Sequence, residues 1–282
     1  MIQIDGLTVR YGGRPALSDV TLRIPAGQRV AVVGANGAGK TTLIRALLAL
    51  TPFEGSARLG GYNVRRDGVR ARALVGYVPQ VVQFPPNLTA AEVIALFQDL
   101  RSVPADPLGA LGAVGLSEVA DRPAGALSGG MARRLTLAVS QIGNPTVLLF
   151  DEPTSHLDRE GERLILTWLE EAVGAGRTAV LASHHLQGLE AVVDRVILLE
   201  EGRVVGDEAM SALAARRWVE VVTPPPLPGR IARTALLLSG LNGNLHLKVP
   251  AAALAGVIRS LDGRPFHITE ASLEELIREK RP

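Results

Sequence analysis

Short apolar segments separated by polar turns run along the first two thirds of the chain. Segments of strand length predict β-strands at Ile2–Arg10, Ala16–Ile24, Arg29–Val33, Val75–Val78, Val147–Phe150, Thr178–Ala182, Arg195–Leu199 and Arg203–Val205. Apolar residues at helical spacing predict helices at Lys40–Leu50, Ala90–Leu100, Ala110–Ala120, Gly130–Ile142, Glu160–Val173 and Leu186–Val192. Because apolar strands alternate with helices beyond residue 146, we expect an α/β fold with a largely parallel sheet covered on both faces.

The character of the chain changes near residue 217. Four prolines, Pro224, Pro225, Pro226 and Pro228, indicate a stiff connector or a long loop. Beyond them we predict strands at Thr234–Leu238, Leu245–Val249 and Phe266–Thr269, a helix at Ala251–Leu261, and a final helix that starts at the capping box of Ser272 and Glu275. These elements divide the chain into a large domain over residues 1–217 and a small α/β domain over residues 218–282.

The composition limits the classes of protein to which this chain can belong. Hydrophobic residues make up 47% of the chain and charged residues 21%, enough to bury a substantial core. The formal net charge of +2 gives no reason to expect a nucleic-acid surface, and the absence of cysteine excludes disulfides and iron–sulfur clusters. Residues Met1–Asp5 carry no basic region followed by an apolar stretch, so we expect no signal peptide, and no apolar run approaches the roughly 20 residues of a spanning helix. We expect a cytoplasmic chain that reaches a membrane only through a partner.

A glycine-rich loop lies between a predicted buried strand and a predicted helix. Residues 34–41 match the pattern G-x-x-x-x-G-K-[ST], in which small residues let the backbone wrap a phosphate at a helix N-terminus. Lys40 is expected to reach the β and γ phosphates, and the Thr41 hydroxyl is expected to ligate Mg²⁺. The alternative is a glycine-rich turn without a ligand. The position of the loop favours phosphate binding.

Two carboxylates follow the apolar strand Val147–Phe150. Asp151 ends that strand at the edge of the sheet where open α/β folds bind ligands, so it is suited to hold magnesium through water. Glu152 is suited to polarise a water molecule for in-line attack on the γ-phosphate. An ordinary acidic loop is the alternative. The phosphate loop favours the catalytic interpretation.

A second candidate anion site lies at Leu127–Met131, directly before a predicted helix that carries Arg133 and Arg134. Ser128 is a good N-cap residue, and Gly129 and Gly130 leave backbone N–H groups accessible. Taken alone, this segment is an ordinary helix start.

Together these motifs resemble the ATP-binding cassette (ABC) ATPase family. Four further elements of that family occur in its order: Tyr11 ahead of the phosphate loop, Gln80 after a strand, the loop Ser155–Asp158 and His184. The seven elements cover residues 1–207, which makes the resemblance highly specific.

The resemblance implies ATP and Mg²⁺ as cofactors and gives each motif residue a role. The implied catalytic residues are Glu152, His184 and Lys40. The implied metal ligands are Thr41, Gln80 and Asp151. The implied nucleotide-binding residues are Tyr11, Gly34, Ala35, Asn36, Gly37, Ala38, Gly39, Lys40, Thr41, Thr42, Gln80, Ser128, Gly129, Gly130 and Asp158. His184 would contact the γ-phosphate, and Asp158 would couple two sites across a dimer interface.

The resemblance also implies an architecture and partners. It adds an N-terminal antiparallel β subdomain and a helical subdomain at about residues 81–143 to the P-loop fold. Two copies would form a head-to-tail homodimer in which Ser128 and Gly130 reach the ATP bound mainly by the other copy. The segment Val81–Leu88 would contact an integral membrane permease on the inner face of the membrane; the alternative is that its apolar residues Phe84, Pro85, Pro86 and Leu88 pack inside the helical subdomain. The segment Pro86–Thr89 is similar to ATPases of ABC-2-type exporters.

One residue departs from the family pattern, because Met131 stands where the signature usually ends in glutamine. Methionine lacks the amide that would donate a hydrogen bond at that corner.

Two alternatives belong to the same superfamily but act without a membrane partner. Ribosome-binding factors contain two cassettes in one chain, whereas this chain has one cassette. DNA-repair ATPases have a long coiled coil inside the cassette, whereas here only 47 residues separate Gln80 from Ser128. We expect an ATPase that energises a transporter, with no nucleic-acid partner.

Overall fold

A computed structural model describes residues 1–153, 166–167, 169–171, 176–184, 189–215, 218–225, 236–241, 244–261 and 265–270. The chain forms two compact units, residues 1–207 and 208–282. The two domains predicted from the sequence, divided at residue 217, stay a prediction. Within the described ranges no helix is both long enough and apolar enough to cross a membrane.

Strands of the first unit form two sheets. In chain order they are β1 (Ile2–Tyr11), β2 (Arg14–Ile24), β3 (Arg29–Val33), β4 (Glu54–Leu59), β5 (Tyr62–Asn63), β6 (Val75–Val78), β7 (Val147–Asp151), β8 (Thr178–Ser183), β9 (Arg195–Glu200) and β10 (Arg203–Ala209). One sheet has the order β2-β1-β4-β5, with antiparallel pairing, and the other has the order β10-β9-β3-β8-β7-β6. The antiparallel N-terminal subdomain and the predicted strands are therefore present.

The second of these sheets supports the site. Strand β3 pairs in parallel with β8 and β9, and β7 pairs in parallel with β6 and β8. Every residue of β7 and β8 is buried, which explains why these segments are apolar without alternation. The carboxyl ends of β3, β7 and β8 consequently meet at one edge, where Gly34, Glu152 and His184 follow them.

Helices of the first unit are shorter than the sequence pattern predicts in two places. Those whose bounds fall within the described residues are α1 (Lys40–Leu47), α2 (Gly68–Ala73), α3 (Ala90–Leu100), α4 (Pro107–Gly112) and α5 (Gly129–Gln141). The predicted helix at 40–50 ends three residues early, at a turn where Ala49 has φ of 56°. The predicted helix at 110–120 is wrong. Asp106 caps a helix that starts earlier, Gly115 has φ of 65°, and only a 3₁₀ turn at Ser117–Val119 follows.

Strands and helices of the second unit surround a small apolar core. They are α6 (Met210–Ala215), β11 (Trp218–Thr223), β12 (Leu236–Leu241), β13 (Asn244–Pro250), α7 (Leu254–Ser260) and β14 (His267–Glu270). The sheet has the order β12-β13-β11-β14, and its central strands bury Val219, Val221, Leu247 and Val249 against Val257. Sequence reasoning missed β11, and the predicted helix after Ser272 lies outside the described residues.

Candidate active site

Glycine is required at two positions of the phosphate loop that joins β3 to α1. A Cβ atom on Gly34 would lie 2.2 Å from the carbonyl oxygen of Leu199. A Cβ atom on Gly39 would lie 2.6 Å from the carbonyl oxygen of Ala16, and Gly39 also has φ of 107°. Gly37 has φ of 83°, a conformation that favours glycine. The loop therefore needs its glycines for its own shape, before any ligand is considered.

The start of α1 supplies a donor-rich end for this loop. Gly39 occupies the N-cap position and makes no side-chain cap, so the first-turn N–H groups of α1 are available to an anion. Lys40 curls back over the loop, and its Nζ atom donates to the carbonyl oxygens of Gly34 at 2.7 Å and Ala35 at 3.2 Å. Lys40 as a whole is only 5% exposed. Positive charge and N–H donors thus converge at one point.

The turn between β9 and β10 supports the phosphate loop through backbone hydrogen bonds. Sequence reasoning did not assign this turn to the site. The backbone N–H of Gly202, in the turn between β9 and β10, donates to the carbonyl oxygen of Ala38 at 3.0 Å. The carbonyl of Gly202 accepts from the N–H of Ser18 at 2.8 Å. The position of this turn behind the phosphate loop depends on strand order, because β9 lies beside β3 in the sheet.

A hydroxyl and a carboxylate meet beside the loop. The Thr41 hydroxyl donates to Oδ1 of Asp151 at 2.9 Å, and Asp151 is almost fully buried. Burial raises the pKa of Asp151, and the hydrogen bond from Thr41 partly opposes that rise. A cation bound beside Asp151 would favour the ionised form of this buried carboxylate, so the environment is suited to cation binding.

These residues fit Mg²⁺. Magnesium in nucleotide sites takes one or two protein oxygen ligands and completes its shell with phosphates and water. Thr41 and Asp151 would supply two such oxygens. No cluster of three or more His, Cys, Asp and Glu side chains in the described part of the chain could hold a metal ion alone. The phosphates would therefore have to supply part of the shell.

Glu152 has a backbone conformation that its neighbours must hold. Its φ of 50° is unusual for a residue with a side chain, and Pro153 follows directly. Its N–H donates to the carbonyl oxygen of Ala182 at 2.9 Å. The side chain then points into the site, where its Oε1 atom lies 3.4 Å from Nζ of Lys40. The candidate base and the candidate phosphate-binding cation are therefore in direct contact.

His184 contacts this carboxylate. The ring Nδ1 atom of His184 lies 2.7 Å from Oε2 of Glu152. The backbone N–H of His184 donates to the same oxygen at 3.4 Å. The family resemblance implies that His184 contacts the γ-phosphate, and that role stays a prediction. The structure shows the imidazole in contact with the carboxylate of Glu152.

The Ser128 segment begins α5 and is open on one side. The Ser128 hydroxyl accepts from the N–H of Met131 at 3.3 Å, as expected of an N-cap. Gly129 and Gly130 are exposed, and a Cβ atom on either would meet no described atom within 4 Å. Unlike Gly34 and Gly39, these glycines have no described neighbour that a side chain at their position would meet. The geometry leaves room for a second molecule to approach this backbone closely.

The remaining predicted residues are peripheral in the described structure. Tyr11 ends β1 and is 47% exposed, and Gln80 is exposed directly after Pro79. The Met131 sulfur accepts from Nη1 of Arg122 at 3.9 Å. The loop of Ser155 and Asp158 lies outside the described residues, so the coupling role of Asp158 stays a prediction.

Sequence reasoning gave no role to Arg133, although the structure buries it beside the site. Its Nη2 atom donates to the carbonyl oxygen of Glu152 at 3.0 Å. Burial lowers its pKa, and the charge of Asp151 opposes that shift. Arg133 falls on the same helical stripe as the buried residues Thr136, Leu137 and Ser140, which was the available signal.

Known proteins resemble this chain in sequence. The family model described as "ABC transporter" matches residues 17–155. The Nod factor export ATP-binding protein I of Ralstonia nicotianae is 36% identical over 211 residues, which are 73% of this chain and 66% of that protein. The daunorubicin resistance ATP-binding protein DrrA3 of Streptomyces coeruleorubidus is 31% identical over 282 residues, covering 97% of this chain and 89% of that protein.

A solved structure extends the likeness to three dimensions. The dimeric post-hydrolysis structure of the ATP-binding cassette MJ0796, bound to ADP and Pi, aligns with a TM-score of 0.68 and 26% identity. The alignment covers 74% of this chain and 99% of that one. The predicted α/β cassette fold is thereby confirmed, and the chain belongs to the ATP-binding proteins of the ABC transporter family.

Proposed function

We propose that two copies of this chain close head-to-tail around two Mg-ATP molecules, hydrolyse them with Glu152 as the base, and thereby drive an ABC-2-type exporter. One observation carries the proposal. Lys40, Thr41, Asp151, Glu152 and His184, which come from three separate segments of the sequence, converge at one edge of the parallel sheet. That set supplies a cation, two metal ligands, a base and a group that orients the base.

Hydrolysis follows from the geometry of this set. A phosphoryl group held by Lys40 lies beside Glu152, because the two side chains are 3.4 Å apart. Glu152 orients a water molecule and takes its proton as the water attacks the γ-phosphorus, and the bond from that phosphorus to the bridging oxygen breaks so that ADP leaves. His184 fixes one carboxylate oxygen, which leaves the other directed toward Lys40 and the water. Magnesium would neutralise charge that develops on the phosphates, with Thr41 and Asp151 as its protein ligands.

The exposed Ser128 segment supports a composite site. Its N-cap hydroxyl and open glycine backbone form a donor surface that this chain does not cover with described atoms. A second copy related by a twofold axis would place this surface over the ATP on the other phosphate loop. The solved MJ0796 cassette is a dimer. For this chain, the head-to-tail arrangement is our proposal.

Ser128→Arg is expected to abolish ATP-dependent dimerisation while the monomer still binds ATP. A long cation would fill the space that the partner's nucleotide needs, whereas the phosphate loop of the same chain is unchanged. We expect at least a tenfold loss of ATPase activity, with ATP affinity of the monomer within about threefold. Size-exclusion chromatography with Mg-ATP and a nucleotide-binding titration measure the two effects.

Ser117→Arg is the matched control, because Ser117 is an exposed serine of the same helical subdomain and lies in no candidate motif. It should dimerise and turn over as the parent does. A Ser128→Arg protein that dimerises normally with ATP would show that this segment lies outside the interface.

An apolar cavity supports the proposed membrane partner. Its volume is about 240 Å³, and its lining includes Tyr77, Pro79, Val82, Phe84 and Phe97. The segment 81–88, which the sequence suggested as a contact for a permease, supplies part of this lining. An apolar groove of this kind accepts an apolar helix end or side chain. The relatives' names, which refer to Nod factor export and daunorubicin resistance, favour an exporter.

Phe84→Asp is expected to release the chain from membranes, while ATP binding by the phosphate loop persists. A carboxylate in the cavity would lose its hydration when an apolar partner docks, so docking becomes unfavourable. Co-purification with a polytopic membrane protein from detergent-solubilised membranes measures the effect. Leu108→Asp, on an exposed apolar residue that does not line the cavity, is the control and should remain membrane-bound.

If the parent chain stays soluble and co-purifies with ribosomes or DNA, the transporter proposal is contradicted. This result would favour the alternative of a soluble ATPase of the same superfamily. The cytoplasmic, peripheral location at the inner face of the membrane rests on the same experiment.

A further inference from the structure

Arg133 is a buried cation that connects three segments around the site. It is 5% exposed and projects from α5, five residues after Ser128. Its Nη2 atom donates to the carbonyl oxygen of Glu152 at 3.0 Å, and its Nε atom donates to that of Pro153 at 3.2 Å. Its Nη1 atom donates to the carbonyl oxygen of Pro79. One planar group therefore holds two separate turns.

The contacts with Glu152 and Pro153 act on a backbone that needs support. Glu152 has a φ of 50°, a conformation that costs free energy for a residue with a side chain. The N–H of Glu152 is held by Ala182, and its carbonyl is held by Arg133. The peptide group on each side of the Glu152 Cα atom is thus fixed from a different element. The direction of the carboxylate depends on both.

The contact with Pro79 leads away from the catalytic centre. Pro79 lines the apolar cavity and directly precedes Gln80. The same guanidinium thus contacts the wall of the cavity and the backbone of Glu152. A displacement of the cavity wall would change the hydrogen bonds that hold Glu152.

A general role in stability does not explain why an arginine lies here. Burial lowers the pKa of Arg133, which shows that the site is costly for a cation. An apolar side chain would fill a helix–sheet contact at a lower desolvation cost. A guanidinium offers five N–H donors in a rigid plane, which is the property needed to hold carbonyls from two turns at once.

We propose that Arg133 is a positioning residue for hydrolysis, which holds Glu152 in its catalytic direction and ties that direction to the wall of the cavity. The inference rests on the proposed role of Glu152 as the base. It requires that loss of the guanidinium reduces the rate of the chemical step, while ATP binding by Lys40 and the phosphate loop persists.

Arg134 provides a matched control from the neighbouring position of the same helix. Its Nη1 atom donates to the carbonyl oxygens of Val114 and Gly115, at 3.2 Å and 3.0 Å. It therefore holds backbone carbonyls within the helical subdomain and contacts neither Glu152 nor Pro79 through these bonds. The two arginines share a helix and a chemistry but differ in what they hold.

Arg133→Ala is expected to reduce kcat by about 100-fold, with KM for ATP within about threefold, because misplacement of a reacting group by about 1 Å has an effect of that size. Millimolar guanidinium ion should restore kcat at least tenfold, since the ion can occupy the space left by the side chain. Arg134→Ala should keep kcat within about twofold and show no rescue. Arg133→Lys keeps the charge but cannot span both turns, so its kcat should lie between the kcat of the parent and that of Arg133→Ala.

Arg133→Ala with the parent kcat would overturn the inference, as would a loss of kcat that guanidinium does not restore in a folded protein with parent melting temperature. If Arg133→Ala does not fold, Arg133→Lys decides, and parent kcat in that variant overturns the inference. Glu152→Gln is measured in the same assay. If that variant hydrolyses ATP at the parent rate, the proposed base is wrong, and this result is distinct from failure of the Arg133 inference.

Discussion

Glu152→Gln is expected to abolish ATP turnover and to trap a dimer with ATP bound. Glutamine has nearly the same shape as glutamate and can still contact Lys40 and His184, but it cannot take a proton from the attacking water. General-base assistance contributes about 10²- to 10⁴-fold to a rate, so we expect kcat to fall by at least 100-fold. The phosphate loop is unchanged, so ATP affinity should be preserved or increased.

Two measurements on the same preparation test this expectation. Phosphate release reports turnover, and size-exclusion chromatography with Mg-ATP reports the dimer, which should persist for Glu152→Gln and be transient for the parent. Glu118→Gln is the control, because Glu118 is an exposed glutamate in a 3₁₀ turn outside the candidate site. If Glu152→Gln still cleaves ATP at the parent rate, the assignment of the base is wrong.

The parts of the fold that the sequence predicted well are those with a local cause. Strands β3 and β6 and helix α3 begin and end where the pattern places them, because buried strands are apolar throughout and Thr89 with Glu92 forms a capping box ahead of α3. The phosphate loop is recognisable because Gly37 and Gly39 have positive φ values, which is a local requirement for glycine. Glycine at position 39 is required by φ and by the neighbouring backbone, whatever the ligand.

The parts that the sequence did not predict depend on distant segments. Strand β4 is half polar and gains its place by pairing with β1, which local periodicity does not reveal. Gly202 reaches the phosphate loop only because β9 lies beside β3 in the sheet. Arg133 is an ordinary charged helix residue until the fold brings Pro79 and Glu152 to its side chain. Tertiary contacts decide these roles.

Lys40→Ala is expected to weaken Mg-ATP binding by about 30- to 150-fold. The ammonium is buried and already held by the carbonyl oxygens of Gly34 and Ala35, so it is positioned for a phosphate before one binds. A hydrogen bond to a charged group contributes about 1.5–3 kcal/mol, and loss of about 2–3 kcal/mol corresponds to the stated change in Kd. Removal of the ammonium also takes away the cation next to Glu152, which adds to the repulsion of phosphates.

Arg45→Ala, which removes an exposed cation from the same helix, separates this local effect from a general loss of positive charge. Calorimetric titration with Mg-ATP gives the Kd of each variant. The Kd of Arg45→Ala should be within about threefold of the parent value, because exposed charges are screened by solvent and salt. Equal Kd values for the parent and Lys40→Ala would mean that the loop does not bind the triphosphate through this ammonium. In that case the convergence of Lys40 with Glu152 would be a structural ion pair, and the proposed chemistry would lose its phosphate-binding group.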